Sequence, residues 1–218
     1  MPARKKRPPK KIKLPGEVPV FPLPNAILFP KIELPLYIFE PRYQKMLADA
    51  LAGDKFIAVS LLRKGWDQKE EPYPTHHVIG LGFIKAAVEN ADGTSYILLK
   101  GMARAEILRY VQMEPYRRAR IRVVPDKIKN SKELKRLHQV LKGLFIQKLR
   151  LGSENPSQNL AFPKDLEDPV TLSHFVSFTM NTSPYLKQDI LETTNVNCRV
   201  KHLISLLEEE LSPPGLQN

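Results

Sequence analysis

The spacing of apolar residues changes once along this chain of 218 residues, near residue 128. Before that point the apolar runs are short, rich in β-branched and aromatic residues and bounded by proline or glycine, which is typical of strands. After it, apolar residues recur every three or four positions, which is typical of amphipathic helices. Because the two patterns are segregated rather than alternating, the sequence predicts an α+β fold. We expect a mostly antiparallel β domain at 17–127 and a small helical bundle at 128–212, flanked by a disordered basic tail at 1–16 and a frayed tail at 213–218.

The clearest signal in the β half is a long hairpin. Asp92-Gly93 supplies the positive φ that a tight turn needs, so the apolar runs 78–88 and 95–108 are predicted to pair as antiparallel strands. Gly80 and Gly82 lie inside the first of these strands. Glycines at such positions predict a β-bulge or the close approach of another backbone.

Prolines restrict where the first strands lie. Proline donates no ladder hydrogen bond, so the runs 18–21 and 32–39 are expected at sheet edges, at strand starts or beside bulges. The one helix predicted within the β half begins at Glu40-Pro41 and ends at Gly53, a residue that suits the position after a helix. The continuous apolar run 56–62 predicts a short strand that is buried on both faces.

The helical half shows a capping residue before each apolar stripe. Asn130 with Glu133 forms a capping pair, and Gly152 ends the first helix. Three further helices are predicted to begin after a capping residue, at Asp168-Pro169, Ser183-Pro184 and Asn195. The sequence therefore predicts about four helices, with a polar loop at 153–167 between the first and the second.

The net charge of +11 is concentrated at the N terminus, where residues 1–13 carry seven lysines and arginines and no acid. Such a segment cannot bury apolar surface, so it is expected to be a disordered extension with weak, non-specific attraction to polyanions, or a nucleic-acid arm. Further arginines occupy alternate positions of a predicted strand and share one of its faces, which is either solvated or phosphate-binding. The candidate polyanion-binding residues are Lys5, Lys6, Arg7, Arg118, Arg120 and Arg122.

The sequence lacks the spacings that mark a catalytic or cofactor site. It contains no P-loop, no dinucleotide-binding glycine motif and no nucleophile elbow. The five histidines never occur at the i, i+4 spacing of two metal ligands on one helix, and the single cysteine, Cys198, excludes an intramolecular disulfide. We therefore expect no catalytic residue, no metal site and no cofactor. No apolar run approaches the ~20 residues of a membrane span and no signal peptide is recognisable, so a cytoplasmic protein is expected.

Two segments, taken in order, resemble a known family. The first begins Val18-Pro-Val-Phe-Pro-Leu-Pro and continues to Phe39-Glu-Pro-Arg-Tyr43. The second comprises Val78-Ile-Gly-Leu-Gly82 and, after the hairpin, Gly101-Met-Ala-Arg104. Together they resemble the N-terminal substrate-binding domain of the ATP-dependent Lon protease, a domain that also occurs as a stand-alone bacterial protein. The resemblance is specific over 17–125 and weaker over the helical remainder.

This resemblance implies a PUA-like β pseudo-barrel with one inserted helix, packed against the helical bundle. It also implies a non-enzymatic domain that binds unfolded or tagged polypeptide in protein quality control. The 218 residues contain neither the ATPase nor the serine–lysine protease sequences of Lon, so peptidase activity is not expected.

Recognition of unfolded chain requires apolar contact, which favours aromatic side chains as the candidate peptide-binding residues. Trp66 and Tyr73 lie in the longest irregular segment of the β half, and Phe29 and Tyr43 are either binding residues or core residues. Two other functions stay open at this point. One is a nucleic-acid-binding PUA-like module that uses the basic tail and the arginine face, and the other is an adaptor that docks onto a protease or ligase complex.

Overall fold

The β half forms a sheet whose two ends meet. The computed structural model describes residues 13–69, 71–152 and 164–212. Residues 1–12 of the predicted tail at 1–16, the predicted tail at 213–218 and most of the predicted loop at 153–167 therefore lie outside the described residues. The described strands are β1 (Glu17–Leu23), β2 (Glu33–Ile38), β3 (Phe56–Leu61), β4 (Val78–Glu89), β5 (Ser95–Gln112) and β6 (Arg117–Val123). Their order is β2-β5-β4-β3-β1-β6, and β5 also pairs with β6. Five strands therefore close into a ring, with β2 outside it on β5.

The sheet is mostly antiparallel, as predicted, because β1 and β3 are its only parallel pair among the described strands. The predicted hairpin is confirmed as β4 and β5, and Gly93 at its turn has φ +82. Gly80 and Gly82 have both predicted features. The register shifts between Leu81 and Gly82, and a Cβ on Gly80 would lie 2.0 Å from the carbonyl oxygen of Leu28.

The prolines of the first two strands are placed differently. Pro35 lies in β2, which is at an edge of the sheet as predicted. For β1 the prediction of an edge, a strand start or a bulge is wrong, since this strand lies between β3 and β6, both prolines are inside it and neither pairing shows a register shift. Residues 17–20 of β1 pair with β6 and residues 20–23 pair with β3. Pro19 and Pro22 therefore each face a partner strand on one side only, and the missing N–H is tolerated.

The predicted inserted helix is confirmed as α1 (Pro41–Ala52), between β2 and β3. It begins after Glu40, with proline in its first turn, and Gly53 is its C-cap. The side chains that it buries against the sheet are Tyr43, Met46, Leu47 and Ala50. Every residue of β3 is buried, as the continuous apolar run predicted.

Four α-helices follow the sheet in the described residues: α2 (Ser131–Leu151), α3 (Pro169–Thr179), α4 (Pro184–Glu192) and α5 (Val196–Leu211). The predicted caps are confirmed, because the side chains of Asn130, Asp168, Ser183 and Asn195 each accept a backbone hydrogen bond in the first turn of the helix that follows. A short 3₁₀ helix, Lys164–Glu167, precedes α3. The helices pack onto the sheet through a core that includes Ile27, Phe29, Ile32 and Leu61 of the β half.

An ionic cluster of two buried arginines and one half-buried carboxylate joins the two halves beside this core. Asp126 Oδ1 accepts hydrogen bonds from Arg104 Nη1 of β5 at 3.1 Å and from Arg199 Nη1 of α5 at 2.7 Å. The side chains of Arg104 and Arg199 are only 2% and 0% exposed. We call these three residues the Asp126 cluster. Arg199 also donates from Nε to Ser173 Oγ of α3, so the cluster connects β5, α3 and α5.

His174 of α3 lies against the Asp126 cluster, with its Nε2 3.8 Å from Asp126 Oδ2. Burial, followed by the charge of Arg199, lowers the pKa of this imidazole to about 3. We therefore expect the His174 ring resonances to stay constant in an NMR titration of the folded protein from about pH 8 to about pH 4.5, whereas a free imidazole titrates near 6.5. Resonances that move with a midpoint near that value would contradict the placement.

The lowered pKa of His174 also determines how the free energy of unfolding changes with pH. The folded pKa of His174 lies below the unfolded value, so protons bind the unfolded chain more tightly. The stabilisation from neutral His174 is complete above about pH 6.5 and declines as the pH falls towards the folded pKa.

Candidate functional site

A groove of about 370 Å³ opens beside the N terminus of α1. Its walls come largely from three segments that repeat the same residue types: Glu40-Pro-Arg-Tyr43, Glu71-Pro-Tyr73 and Glu114-Pro-Tyr116. The tyrosine of each segment lines the groove. We call it the tyrosine groove; its lining residues are Pro22, Arg42, Tyr43, Glu71, Pro72, Tyr73, Met113, Glu114, Pro115, Tyr116 and Arg117.

The three segments are far apart in sequence and meet because of the strand order. The first is the start of α1, the second lies in the loop between β3 and β4, and the third forms the turn between β5 and β6. In the second and third, the peptide bonds Glu71-Pro72 and Glu114-Pro115 are both cis. Gln112 Nε2 donates to the carbonyl oxygen of Tyr116 at 2.8 Å and spans the β5–β6 turn.

The floor of the tyrosine groove is fixed and its rim is exposed. Tyr43 and Tyr116 are buried, with the Tyr43 ring 4.5 Å from that of Phe21 and the Tyr116 hydroxyl donating to Asp49 Oδ2 at 2.7 Å. Burial raises the pKa of Tyr43, so its hydroxyl stays protonated and the floor carries no charge from it. The rim consists of half-buried Tyr73 and of exposed Pro72, Met113 and Pro115.

Charges of both signs are held at one side of the groove. Arg42 makes a two-fold contact with Glu71, from Nη1 to Oε2 at 2.8 Å and from Nη2 to Oε1 at 2.9 Å, and donates from Nε to Glu40 at 2.9 Å. The hydrogen bonds from Arg42 lower the pKa of Glu71, which keeps this carboxylate ionised. The Arg42 guanidinium also lies 4.9 Å from the centre of the Tyr43 ring. The pair therefore ties the β3–β4 loop to α1 and fixes this wall of the groove.

The four predicted peptide-binding residues lie in three different environments in the structure. Tyr43 and Tyr73 line the groove. Trp66 begins a 3₁₀ helix, Trp66–Gln68, and is half-buried beside the groove with its ring 5.1 Å from that of Tyr73 in an edge-to-face arrangement. Phe29 is 0% exposed in the core shared with the helices, which is the core alternative that the sequence left open. It is not part of the site.

Several groove residues were not found by sequence analysis, chiefly Arg42, Glu71, Tyr116 and Arg117. For Glu71 and Tyr116 a sequence signal was present, because the tripeptide Glu-Pro-Tyr occurs at 71–73 and again at 114–116. Neither copy lies in a run with clear periodicity, and nothing local shows that the two copies meet.

The predicted arginine face is present on β6 but is partly neutralised. Arg120 contacts Glu17 at 2.7 Å and Arg122 contacts Glu106 at 2.6 Å. Arg118 borders a cleft that also contains Glu17 and Asp54. The other predicted polyanion-binding residues, Lys5, Lys6 and Arg7, lie outside the described residues.

Two features are absent from the described parts of the chain. Within residues 13–69, 71–152 and 164–212, no group of three or more histidine, cysteine or acidic side chains is placed to hold a metal ion. Over the same residues, no helix combines the length and the apolar character that crossing a membrane requires. Cys198 is an exposed free thiol on α5.

The closed sheet, the inserted helix and the helices packed on it reproduce a known domain fold. The N-terminal domain of the Mycobacterium avium complex Lon protease matches with a TM-score of 0.70 and 19% sequence identity, over 89% of this chain and 100% of that one. The Lon N-terminal domain protein from Xanthomonas campestris matches with a TM-score of 0.61 and 17% identity, over 87% of this chain and 97% of that one. At these identities the likeness defines the fold.

The sequence identifies the family. The chain belongs to the ATP-dependent protease La (LON) substrate-binding domain family, whose model matches residues 17–209. The Lon protease of Dictyoglomus thermophilum is 26% identical over 200 residues, which cover 91% of this chain and 25% of that protease. The Lon protease of Flavobacterium johnsoniae is 30% identical over 209 residues, covering 94% and 25%. The resemblance predicted from the sequence is thus confirmed, and the chain spans about a quarter of the length of these curated relatives.

Proposed function

We propose that this protein binds extended segments of unfolded polypeptide in the tyrosine groove and catalyses no reaction on them. The observation that carries the proposal is the groove itself, in which three tyrosines and three prolines lie beside a fixed Arg42–Glu71 pair. An unfolded chain presents apolar side chains together with polar backbone groups. The apolar floor accepts the side chains, while the charged wall offers donors and acceptors to the backbone.

Family membership supports the same function. The matched family is described as a substrate-binding domain, and the matched relatives are proteases that require access to polypeptide. We infer that this chain holds polypeptide for protein quality control. We also propose that the ring of five strands is a PUA-like pseudo-barrel at 17–127, with the helices at 128–212 as a second unit packed on it.

The nucleic-acid alternative has less support. Two of the three predicted arginines on β6 contact carboxylates, which reduces the local attraction for phosphate. The adaptor alternative stays a prediction from the sequence, because the described residues hold no feature that favours it over polypeptide binding.

Replacing Tyr73 or Trp66 with serine is expected to weaken binding of a reduced and alkylated, permanently unfolded polypeptide about tenfold, the effect of losing one aromatic anchor. Both side chains stand at the rim, so the melting temperature should fall by no more than about 4 °C, which corresponds to about 1 kcal/mol for a chain of this size. Isothermal titration and thermal denaturation measure the two effects.

The matched control is Leu151→Ser, at an exposed apolar residue at the end of α2. It should leave binding unchanged. Equal weakening by the control, or a large fall in melting temperature for the rim variants, would assign Tyr73 and Trp66 to structure rather than to binding.

A further inference from the structure

The outward face of the sheet is apolar where β2, β5 and β4 lie side by side. A solvated face of an antiparallel sheet normally carries polar side chains. Here Tyr37, Tyr96 and Val88 form one row by their register and are 42%, 59% and 62% exposed. Phe39, which follows β2, is 59% exposed and its ring stacks on Tyr37 with the centroids 5.8 Å apart. The Tyr37 and Tyr96 rings are 4.8 Å apart, so the aromatic rings form one continuous surface.

A second apolar row and a charged row complete this face. In register, Pro35 and Ala86 flank Leu98. We call the two apolar rows with Phe39 the aromatic sheet face; its residues are Pro35, Tyr37, Phe39, Ala86, Val88, Tyr96 and Leu98. In the next row, exposed Lys100 is the register partner of Glu33 and Phe83, and Lys85, at the register shift between Ile84 and Ala86, contacts Glu33 at 2.6 Å. One end of the aromatic sheet face therefore carries a net positive charge.

A single-stranded nucleic acid fits this face poorly. Its bases stack on separate aromatic platforms along a positively charged path. The rings here pack on one another, and the adjacent row contains Glu33, which opposes phosphate.

A second copy of the chain also fits poorly. A stable dimer buries about 800 Å² per partner, whereas the three rings, which are about half exposed, supply only roughly 300 Å² of aromatic surface. The other four members of the face are smaller aliphatic side chains that do not make up this difference. Backbone pairing with an added strand is hindered as well, because Pro35 in the edge strand β2 has no N–H to donate. Recognition must therefore occur through side chains and over a small area.

We propose that the aromatic sheet face is a second docking surface for polypeptide, specific for short segments that carry apolar or aromatic side chains followed by an acidic residue. The apolar side chains cover the aromatic rings, and the acidic residue pairs with Lys100. This inference takes its partner class from the proposed function but does not depend on the tyrosine groove. Phe39 is three residues from Arg42, so the two surfaces adjoin the same end of α1.

The test uses two labelled peptides, one with alternating leucine and phenylalanine followed by two glutamates, and a twin that ends in two lysines. The double variant Tyr37→Ser/Tyr96→Ser should bind the acidic peptide about tenfold more weakly than the wild type, because it removes two aromatic anchors from an exposed surface. Lys100→Glu should weaken the acidic peptide and strengthen its twin. Leu108→Ser, at an exposed apolar residue elsewhere on β5, is the matched control and should change neither.

The outcomes separate this inference from the proposed function. If the double variant binds peptide as the wild type does and Tyr73→Ser loses binding, the inference about the aromatic sheet face is overturned and the proposal for the tyrosine groove stands. If only the double variant loses peptide binding, the aromatic sheet face is supported and the tyrosine groove is contradicted. If the wild type binds no polypeptide, both proposals are overturned. Self-association or RNA binding that the double variant abolishes, without an effect on peptide, would assign the face to those partners and overturn the inference.

Discussion

Gly80→Ala and Gly101→Ala are each expected to lower the free energy of unfolding by at least about 3 kcal/mol. The segment at 24–32 crosses the sheet so closely that a Cβ on Gly80 would lie 2.0 Å from the carbonyl oxygen of Leu28, and one on Gly101 would lie 2.0 Å from that of Phe29. Both obstacles are backbone atoms, so no change of rotamer relieves them. The backbone must move instead, and the cores on both sides of the sheet lose packing.

Urea denaturation measures this effect, and Gly143→Ala is the matched control. Gly143 lies in α2, and a Cβ there would meet nothing within 4 Å. Alanine at this position should stabilise the protein by about 0.5–1 kcal/mol, because it favours the helical backbone. If Gly80→Ala and Gly143→Ala shift the midpoint equally, the close crossing of the 24–32 segment is contradicted.

Asp126→Asn is expected to destabilise the protein by about 3–5 kcal/mol, the cost of removing one partner of a buried ion pair. The amide keeps the shape of the side chain but leaves the guanidinium groups of Arg104 and Arg199 buried without a counter-charge. These two arginines lie in β5 and α5, so the loss falls on the contact between the sheet and the helices. Unfolding followed by circular dichroism and by tryptophan fluorescence measures it.

The control is Glu106→Gln, which removes the partner of Arg122 from an ion pair at the surface and should cost no more than about 1 kcal/mol. The dependence on pH gives a second check. Burial raises the pKa of Asp126, but the hydrogen bond and charge of Arg199, with the charge of Arg104, outweigh burial and hold that pKa below its usual value. The stabilisation is therefore present above about pH 3.9 and is lost as the pH falls through the folded pKa. Similar losses in the two variants would refute a buried cluster.

The parts of the fold that depend on local chemistry are those that the sequence predicted. Asp92-Gly93 marked its hairpin because few residues adopt positive φ, and Asn130 marked the start of α2 because its side chain accepts a backbone hydrogen bond. The edge prediction for β1 failed for a non-local reason. β1 changes neighbours at Val20, so each of its prolines has a partner strand on one side only even though the strand lies inside the sheet.

The candidate site was predicted only in part, because some of its residues stand out locally whereas others are brought together by the strand order. Tyr73 and Trp66 stood out because they lie in an irregular segment with little local apolar company. Phe29 follows Ile27 and Leu28 in an apolar run, which is compatible with either a binding or a core role, and it is covered by helices that are more than a hundred residues away in sequence. Conversely, Tyr116 reaches the groove only because β6 returns beside β5 after a short turn. Contacts of this kind are set by strand order, which local patterns do not contain.

The most direct test of the central claim is a comparison of polypeptide and RNA binding at two salt concentrations. The full chain and a variant lacking residues 1–12 would be titrated with a reduced and alkylated polypeptide and with single-stranded RNA, at about 0.05 M and about 0.5 M salt. Binding in the tyrosine groove predicts saturable association with the polypeptide that survives both the deletion and the higher salt. Association with RNA alone, lost with the basic segment or with salt, would contradict the proposed function.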